Sequence, residues 1–170
     1  AALRRLLNAR KIEPGRLHIR FRAAVADELI LRLANEHGVG AFVECLPPLP
    51  YEQALVEMLR ADGLIVMQAA NCNEQIPAKV YEYLRADRPI LGLAAPEGDT
   101  ATVLRHAGVQ HLAALESTDD MVVALDDFLA RVQQGERLSP RAEVVRGASR
   151  EARSQGFADL FREAARGTKP

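Results

Sequence analysis

The sequence has few residues of the types on which several common protein classes depend. Cysteine occurs twice in 170 residues, and Cys45 and Cys72 lack Cys-x-x-Cys spacing, which argues against a disulfide scaffold or a structural zinc site. We therefore expect two reduced thiols, as in a cytosolic protein. Tryptophan is absent and aromatic residues make up 5% of the chain, so aliphatic side chains must form most of the core.

Charge of one sign and long apolar runs are also lacking. The formal net charge is −1, which argues against a protein built to neutralise nucleic-acid phosphates. No apolar run approaches the roughly 18 residues needed to cross a bilayer, and the first residues lack the apolar stretch of a signal peptide. We expect a cytoplasmic location, with the full-length protein peripheral to the inner membrane face. Because the sequence does not begin with Met, we expect it to be part of a longer protein.

Several catalytic fingerprints do not occur. Neither a GxxxxGK[ST] phosphate loop nor a GxGxxG dinucleotide loop is present. The four histidines show no metal-ligand spacing, and no serine lies in a nucleophile elbow. We therefore expect neither a bound metal nor another cofactor.

Short apolar segments alternate with segments of helical periodicity. Two of the apolar segments, GLIVMQ and PILGLA, are nearly continuous, which is typical of strands covered on both faces. The predicted strands are Leu17–Ala23, Ala41–Leu46, Gly63–Gln68, Pro89–Ala94 and Val109–Leu115. Between and after them, apolar residues recur at helical spacing, with Pro- and Gly-rich turns at the boundaries.

This alternation predicts an α/β fold, a Rossmann-like three-layer α/β/α domain with a mainly parallel sheet. We expect one domain over residues 1–170, with its core in 1–134, a polar linker in 135–149 and a final helix in 150–166. Ligands of such sheets bind beyond the carboxyl ends of the strands, so the loops that follow the strands are the candidate sites.

One such loop carries the chemistry. The segment NCNEQIPAKVYEYL (71–84) follows GLIVMQ, and Pro77 suits the first turn of a helix that runs to about Ala86. Free N–H groups at that helix start could hold a diphosphate, and Lys79 could offset its charge. Glu82 could accept hydrogen bonds from a ribose diol, and Glu74 could reach a sugar. The same spacing also fits an ordinary helix start in which the acidic residues only favour the dipole.

The segment IPAKVYEYLRADRPILGL (76–93) resembles the nucleotide-binding helix and following strand of retaining GT-B glycosyltransferases of the family 4 type. That helix often reads Pro-x-Lys-x-x-Glu-Tyr-Leu, as residues 77–84 do here. A further hallmark of the family is two glutamates separated by seven residues, and Glu74 and Glu82 have that separation. The resemblance is specific over residues 73–93 and diffuse over most of the remaining chain.

The resemblance implies the Rossmann-like C-terminal domain of a GT-B enzyme and assigns roles at its donor site. Glu82 would bind the ribose hydroxyls, and Glu74 would act as the catalytic-site glutamate that contacts the transferred sugar. A second set would complete the donor site. The backbone N–H groups of Ile76, Ala78 and Lys79, on either side of Pro77, would hold the diphosphate. The loop after the second strand would pack against the base, through Cys45, Leu46 and Pro47.

The implied function is binding of a nucleoside diphosphate sugar for retaining transfer of a glycosyl group to a carbohydrate or lipid-linked acceptor, in polysaccharide biosynthesis. No metal is required in this family. Its acceptor residues lie in an N-terminal domain that this sequence does not include, so we expect no turnover from this chain alone.

The chain departs from the family in two places. Gln75 and Ile76 replace small residues, and the sequence begins inside a helix that the family places after a central strand. Without that strand, the segments 17–23 and 63–68 lose their common neighbour. We expect the sheet to close differently or another copy to fill the gap by swapping, with a weakened donor site and a tendency to self-associate.

Two alternatives stay open. A nucleotide-sugar epimerase of GT-B fold would share the ribose-binding glutamate and react without an acceptor. A non-catalytic Rossmann-like module would keep its structure and show no nucleotide affinity.

Gly98-Asp99-Thr100 opens a further helix, in which we expect Asp99 to be the N-cap or the loop to lie near the donor sugar.

Overall fold

A computed structural model describes residues 1–167 and contains all five predicted strands, each paired in parallel. They are β1 Ile19–Arg22, β2 Val43–Leu46, β3 Leu64–Met67, β4 Ile90–Leu93 and β5 His111–Ala113. The strand ends lie one or two residues inside the predicted segments, as expected where strands run into turns. The exception is Leu46, at which β2 ends as predicted. The prediction of an α/β, Rossmann-like fold with a parallel sheet is confirmed.

One helix precedes the first strand, and the others separate the strands or follow the last one. They are α1 Ala2–Asn8, α2 Asp27–Glu36, α3 Tyr51–Arg60, α4 Ala78–Arg85, α5 Asp99–His106, α6 Thr118–Gln133, α7 Ala142–Gly147 and α8 Arg150–Gly167. Single 3-10 turns occupy Gly40–Phe42 and Ala70–Cys72. None of the helices within residues 1–167 is both long enough and apolar enough to cross a membrane.

The segment 135–149, predicted as a linker, contains α7. The N–H of Arg141 donates a hydrogen bond to the carbonyl of Ala107 at 2.8 Å, which fixes the start of α7 beside the end of α5. Val144 and Val145 then pack against buried residues of the domain. A short helix with two apolar residues gives too weak a periodic pattern to be recognised in a polar segment.

The strands form two sheets rather than one. In the first, Ile19 of β1 lies opposite Val43 of β2; in the second, the order is β3-β4-β5, with Gly92 of β4 opposite both Val66 and Leu112. Within the described part of the chain, β1 and β3 are not hydrogen-bonded to each other. The two strands that we expected to lose their common neighbour therefore lie in different sheets.

Two apolar cores hold the layers together. The α4 core contains residues of β3, β4, α4 and α5: Leu64, Val66, Val80, Leu84, Ala86, Ile90, Leu104, Ala107 and Val109. The α6 core joins α1, α2 and α6 to the start of β2 and to β4: Leu6, Ile12, Ala34, Val39, Phe42, Leu91, Leu125 and Phe128. Because Ile90 and Leu91 are neighbours on β4 and point to opposite faces, this strand belongs to both cores.

Candidate functional site

The predicted site loop lies at the carboxyl edge of β3 and leads directly into α4. Gln68 follows β3, its N–H donates to the carbonyl of Leu93 at 2.9 Å, and the 3-10 turn Ala70–Cys72 then reverses the chain. Glu74 comes after this turn, four residues before α4 begins at Ala78. The structure thus places Glu74 and the start of α4 at the strand end, as the sequence predicts.

The start of α4 is open for a ligand. Pro77 is the N-cap and its backbone is extended, with φ −58° and ψ 134°, while the N–H of Val80 makes the first bond, to the Pro77 carbonyl at 2.9 Å. The N–H groups of Ala78 and Lys79 precede the point at which hydrogen bonding within the helix begins. They can therefore donate to an anion at the positive end of the helix dipole.

The charged side chains of this segment are all accessible. Glu74, Lys79 and Glu82 are exposed, and none of them takes part in an ion pair within residues 1–167. Val80 and Leu84, at 0% and 2% exposure, fix the opposite face of α4 in its core. Burial raises the pKa of the neighbouring Tyr83, and the negative charge of Glu82 raises it further.

The loop that carries Glu74 is attached to both flanking elements. The Gln68 side-chain amide donates to the Cys72 carbonyl at 2.8 Å, which closes the turn from the β3 side. From α5, the N–H of Asp99 donates to the Asn73 carbonyl at 2.9 Å, and the hydroxyl of Thr100 donates to the Gln75 carbonyl at 3.0 Å. The loops after β3 and β4 are therefore one connected unit.

The expectation that Asp99 caps α5 is wrong. The N-cap is Gly98, and Asp99 is the first helical residue, with no capping bond from a side chain. Gly98 is closely packed, since a Cβ there would lie 3.3 Å from the Ala95 carbonyl oxygen and 3.4 Å from the carbonyl and side-chain oxygens of Asn73. Glycine lets the Asn73 loop approach the helix start closely enough for its carbonyl to accept the Asp99 N–H.

The residues predicted to pack against a base lie at the carboxyl end of β2. Cys45 and Leu46 end that strand, and the Pro47 carbonyl accepts a hydrogen bond from an Arg22 terminal nitrogen at 2.8 Å. Burial raises the pKa of the Cys45 thiol, and the nearby Asp27 carboxylate raises it further. Both cysteines are free and half-buried.

Arg22 is the main residue at this edge that sequence reasoning missed. Its guanidinium also pairs with Glu57 of α3, while its Nε and the Oδ1 of Asp27 are buried without a hydrogen-bond partner among residues 1–167. The available signal was its position next to the end of the predicted strand Leu17–Ala23, where side chains reach a ligand edge. Thr100 was also missed, because the sequence indicated only that it belongs to the start of a helix.

The structure does not join the two groups of predicted residues. Within the described residues, neither a hydrogen bond nor an ion pair connects the Cys45–Pro47 edge with the segment 74–82, which belongs to the other sheet. Two surface hollows lie elsewhere, one bounded by residues of α8 and one bounded by Arg4 and by residues 35–38. The candidate site is thus an open edge with exposed functional groups, rather than a closed pocket.

No group of three or more His, Cys, Asp or Glu residues in 1–167 is placed to hold a metal ion. Comparison with known proteins identifies no family for the chain: no family model matches the sequence, and no curated protein matches it at a significant level.

Proposed function

We propose that this chain is the donor-binding domain of a retaining glycosyltransferase and binds a nucleoside diphosphate sugar. The observation that carries the proposal is the open start of α4, with Lys79 and Glu82 exposed and unpaired beside it at the carboxyl edge of a parallel sheet. An anion-binding helix start and a hydroxyl-binding carboxylate on one short helix are complementary to a nucleoside diphosphate.

The diphosphate is the ligand group that fits the helix start. The N–H groups of Ala78 and Lys79 and the ammonium group of Lys79 supply hydrogen-bond donors and positive charge within one helical turn. These groups would also stabilise the charge that develops on the leaving diphosphate as the glycosyl bond breaks.

Glu82 would bind the ribose. It is about 200° around the helix from Val80, because successive residues are separated by about 100°, and it therefore faces solvent on the side away from the core. It also lies one turn after Ala78, and helical side chains lean towards the N-terminus. A carboxylate there can accept hydrogen bonds from two vicinal hydroxyls and repels a third phosphate.

Glu74 would bind the transferred sugar. It precedes the diphosphate site by one loop, is exposed, and has no partner of its own in the described residues. A hexose attached to a diphosphate on α4 would extend beyond the helix start, where this carboxylate can bind sugar hydroxyls. The residues that bind a carbohydrate or lipid-linked acceptor would come from a separate domain, at the cytoplasmic face of a membrane where the acceptor is lipid-linked.

Calorimetric titration with UDP, GDP and ADP tests the proposal. We expect one nucleotide to bind, and Glu82→Ala to weaken its binding by about 1.5–3 kcal/mol, which is the usual contribution of a hydrogen bond to a charged group. Glu163→Ala, which removes an exposed carboxylate from α8, is the matched control and should leave the affinity unchanged.

Other results would favour the alternatives. If the folded chain binds none of the three nucleotides, it is better described as a non-catalytic module. If the full-length protein converts a nucleotide sugar without any acceptor, the epimerase reaction replaces glycosyl transfer. An equal loss of affinity in Glu82→Ala and Glu163→Ala would indicate that the nucleotide binds elsewhere on the surface.

A further inference from the structure

We propose that Thr100 and Gln68 are positioning residues that hold Glu74 in place for the sugar of the donor. This inference rests on the proposed function, because it assigns Glu74 to the sugar and the start of α4 to the nucleotide. Neither Thr100 nor Gln68 needs to touch the ligand. Each acts on the backbone of the loop that carries Glu74.

The Thr100 hydroxyl has a specific partner in a dry environment. Its residue is 1% exposed, and its Oγ1 donates to the Gln75 carbonyl at 3.0 Å. An unpaired hydroxyl at such a site would be costly, so the hydroxyl and the carbonyl hold each other in one arrangement. Within residues 1–167, the only other buried polar residue is His111, which lies at the opposite end of its strand from this edge.

The start of α5 is occupied by the protein's own loop. Asp99 donates the first N–H of the helix to the Asn73 carbonyl at 2.9 Å, so this carbonyl satisfies a group that would otherwise be free for an anion. No group within residues 1–167 occupies the start of α4 in this way. Of the two helix starts at this edge, α5 therefore holds the loop and α4 remains available for the diphosphate.

Glu74 lies between Asn73 and Gln75, two residues whose backbone carbonyls accept hydrogen bonds from α5. The carbonyls of Asn73 and Gln75 are both held from α5, and the Gln68 amide holds the Cys72 carbonyl from β3. The backbone on each side of Glu74 is therefore fixed while its side chain remains exposed. A fixed backbone lowers the entropy lost when the carboxylate binds a sugar, so the attachments should increase affinity for the sugar group in particular.

The test compares each nucleotide with its sugar conjugate: UDP with UDP-glucose, GDP with GDP-mannose and ADP with ADP-glucose. Thr100→Val removes the hydroxyl and keeps the shape, whereas Thr100→Ser keeps the hydroxyl. We expect Thr100→Val to reduce the affinity for the sugar conjugate relative to the nucleotide by about five- to tenfold, as for one net hydrogen bond. The affinity for the nucleotide alone should stay unchanged, and Thr100→Ser should restore the ratio.

Hydrogen–deuterium exchange without ligand gives a second measurement. We expect faster exchange in residues 69–77 for Thr100→Val and for Gln68→Met, which removes the amide donor, and wild-type exchange in Thr100→Ser. Gln68 is half-buried and lies outside both cores. Gln68→Met therefore provides a test even if Thr100→Val does not fold.

The outcomes separate this proposal from the proposed function. Unchanged exchange in residues 69–77, or an equal loss of affinity for nucleotide and sugar conjugate, would overturn the positioning role even if nucleotides bind. Faster exchange in Thr100→Val and Gln68→Met, in a protein whose wild-type form binds no nucleotide, would instead overturn the donor site, and with it the role of these residues in positioning Glu74 for a sugar.

Discussion

The Nε2 atom of His111 lies 2.9 Å from a carboxylate oxygen of Asp127, and this contact ties the first residue of β5 to α6. The His111 side chain is 5% exposed, and its ring meets Phe128 edge-on with the centroids 5.3 Å apart. A buried imidazole cannot replace a lost partner with water, so the carboxylate of Asp127 is needed even though it is itself exposed.

Asp127→Ala should therefore lower the free energy of unfolding by about 1–3 kcal/mol, because it leaves a buried ring nitrogen without a partner. The matched control is Asp126→Ala, which removes the adjacent carboxylate and its exposed pair with Lys11 and should cost at most about 1 kcal/mol. Urea denaturation measures both changes. Equal effects of the two substitutions would show that the His111 contact contributes no more than a surface ion pair.

Gly92 is required by close packing at the centre of β4. A Cβ at this position would lie 2.5 Å from Leu112 Cδ2 and 2.8 Å from Leu104 Cδ1. Gly92→Ala should lower the unfolding free energy by about 1–3 kcal/mol, as overpacked core substitutions do. Gly156→Ala in α8 meets nothing within 4 Å and should stabilise the helix by up to about 1 kcal/mol. A neutral Gly92→Ala variant would contradict the described packing.

Tyr83 should ionise at higher pH than an ordinary tyrosine, because burial and then the charge of Glu82 raise its pKa. Tyr51→Phe/Tyr81→Phe leaves it as the only phenol in the chain, so ultraviolet absorbance can follow it directly. Glu82→Gln in that background should lower the pKa only in part. Because the pKa of Tyr83 is higher in the folded chain than in the unfolded chain, this residue contributes to the free energy of unfolding below the unfolded pKa of about 10. The contribution is lost as the pH rises through the pKa of the folded chain.

The open edges of β1 and β3 should cause self-association. Unpaired strand edges offer N–H and C=O groups to another chain, and exposed apolar residues such as Val25 and Leu29 add buried area. Sedimentation equilibrium across the micromolar range should detect dimers. The double variant Phe157→Ser/Phe161→Ser removes the exposed aromatic residues of α8. If the strand edges form the contact, this variant should still form dimers. A wild-type chain that is monomeric throughout would contradict this prediction.

Long apolar runs and strong punctuation made much of the fold predictable. GLIVMQ and PILGLA became β3 and β4 because a strand covered on both faces needs continuous apolar residues. Pro77 marked the start of α4 to within one residue, because it is the N-cap rather than a residue of the first turn. These signals are local, and local patterns are what a single sequence records best.

Contacts between distant segments were harder to predict. The bond from Thr100 to the Gln75 carbonyl joins residues that are 25 positions apart, and no residue pattern indicates which carbonyl a hydroxyl will meet. The pairing of Arg22 with Glu57 has the same character. For the same reason, the sequence predicted that the segment 74–82 follows β3 at its carboxyl end, but not how its loop is held.

We propose above that the open start of α4, with Glu74 and Glu82, binds the donor nucleotide. Hydrogen–deuterium exchange with saturating UDP, GDP or ADP tests it most directly, because it reports where on the chain a bound ligand gives protection. We predict that one nucleotide slows exchange in residues 74–82, with weaker protection at residues 45–47. Protection confined to another surface, such as the hollow beside Arg4 and His37, would contradict the claim, as would bound nucleotide that leaves exchange in residues 74–82 unchanged.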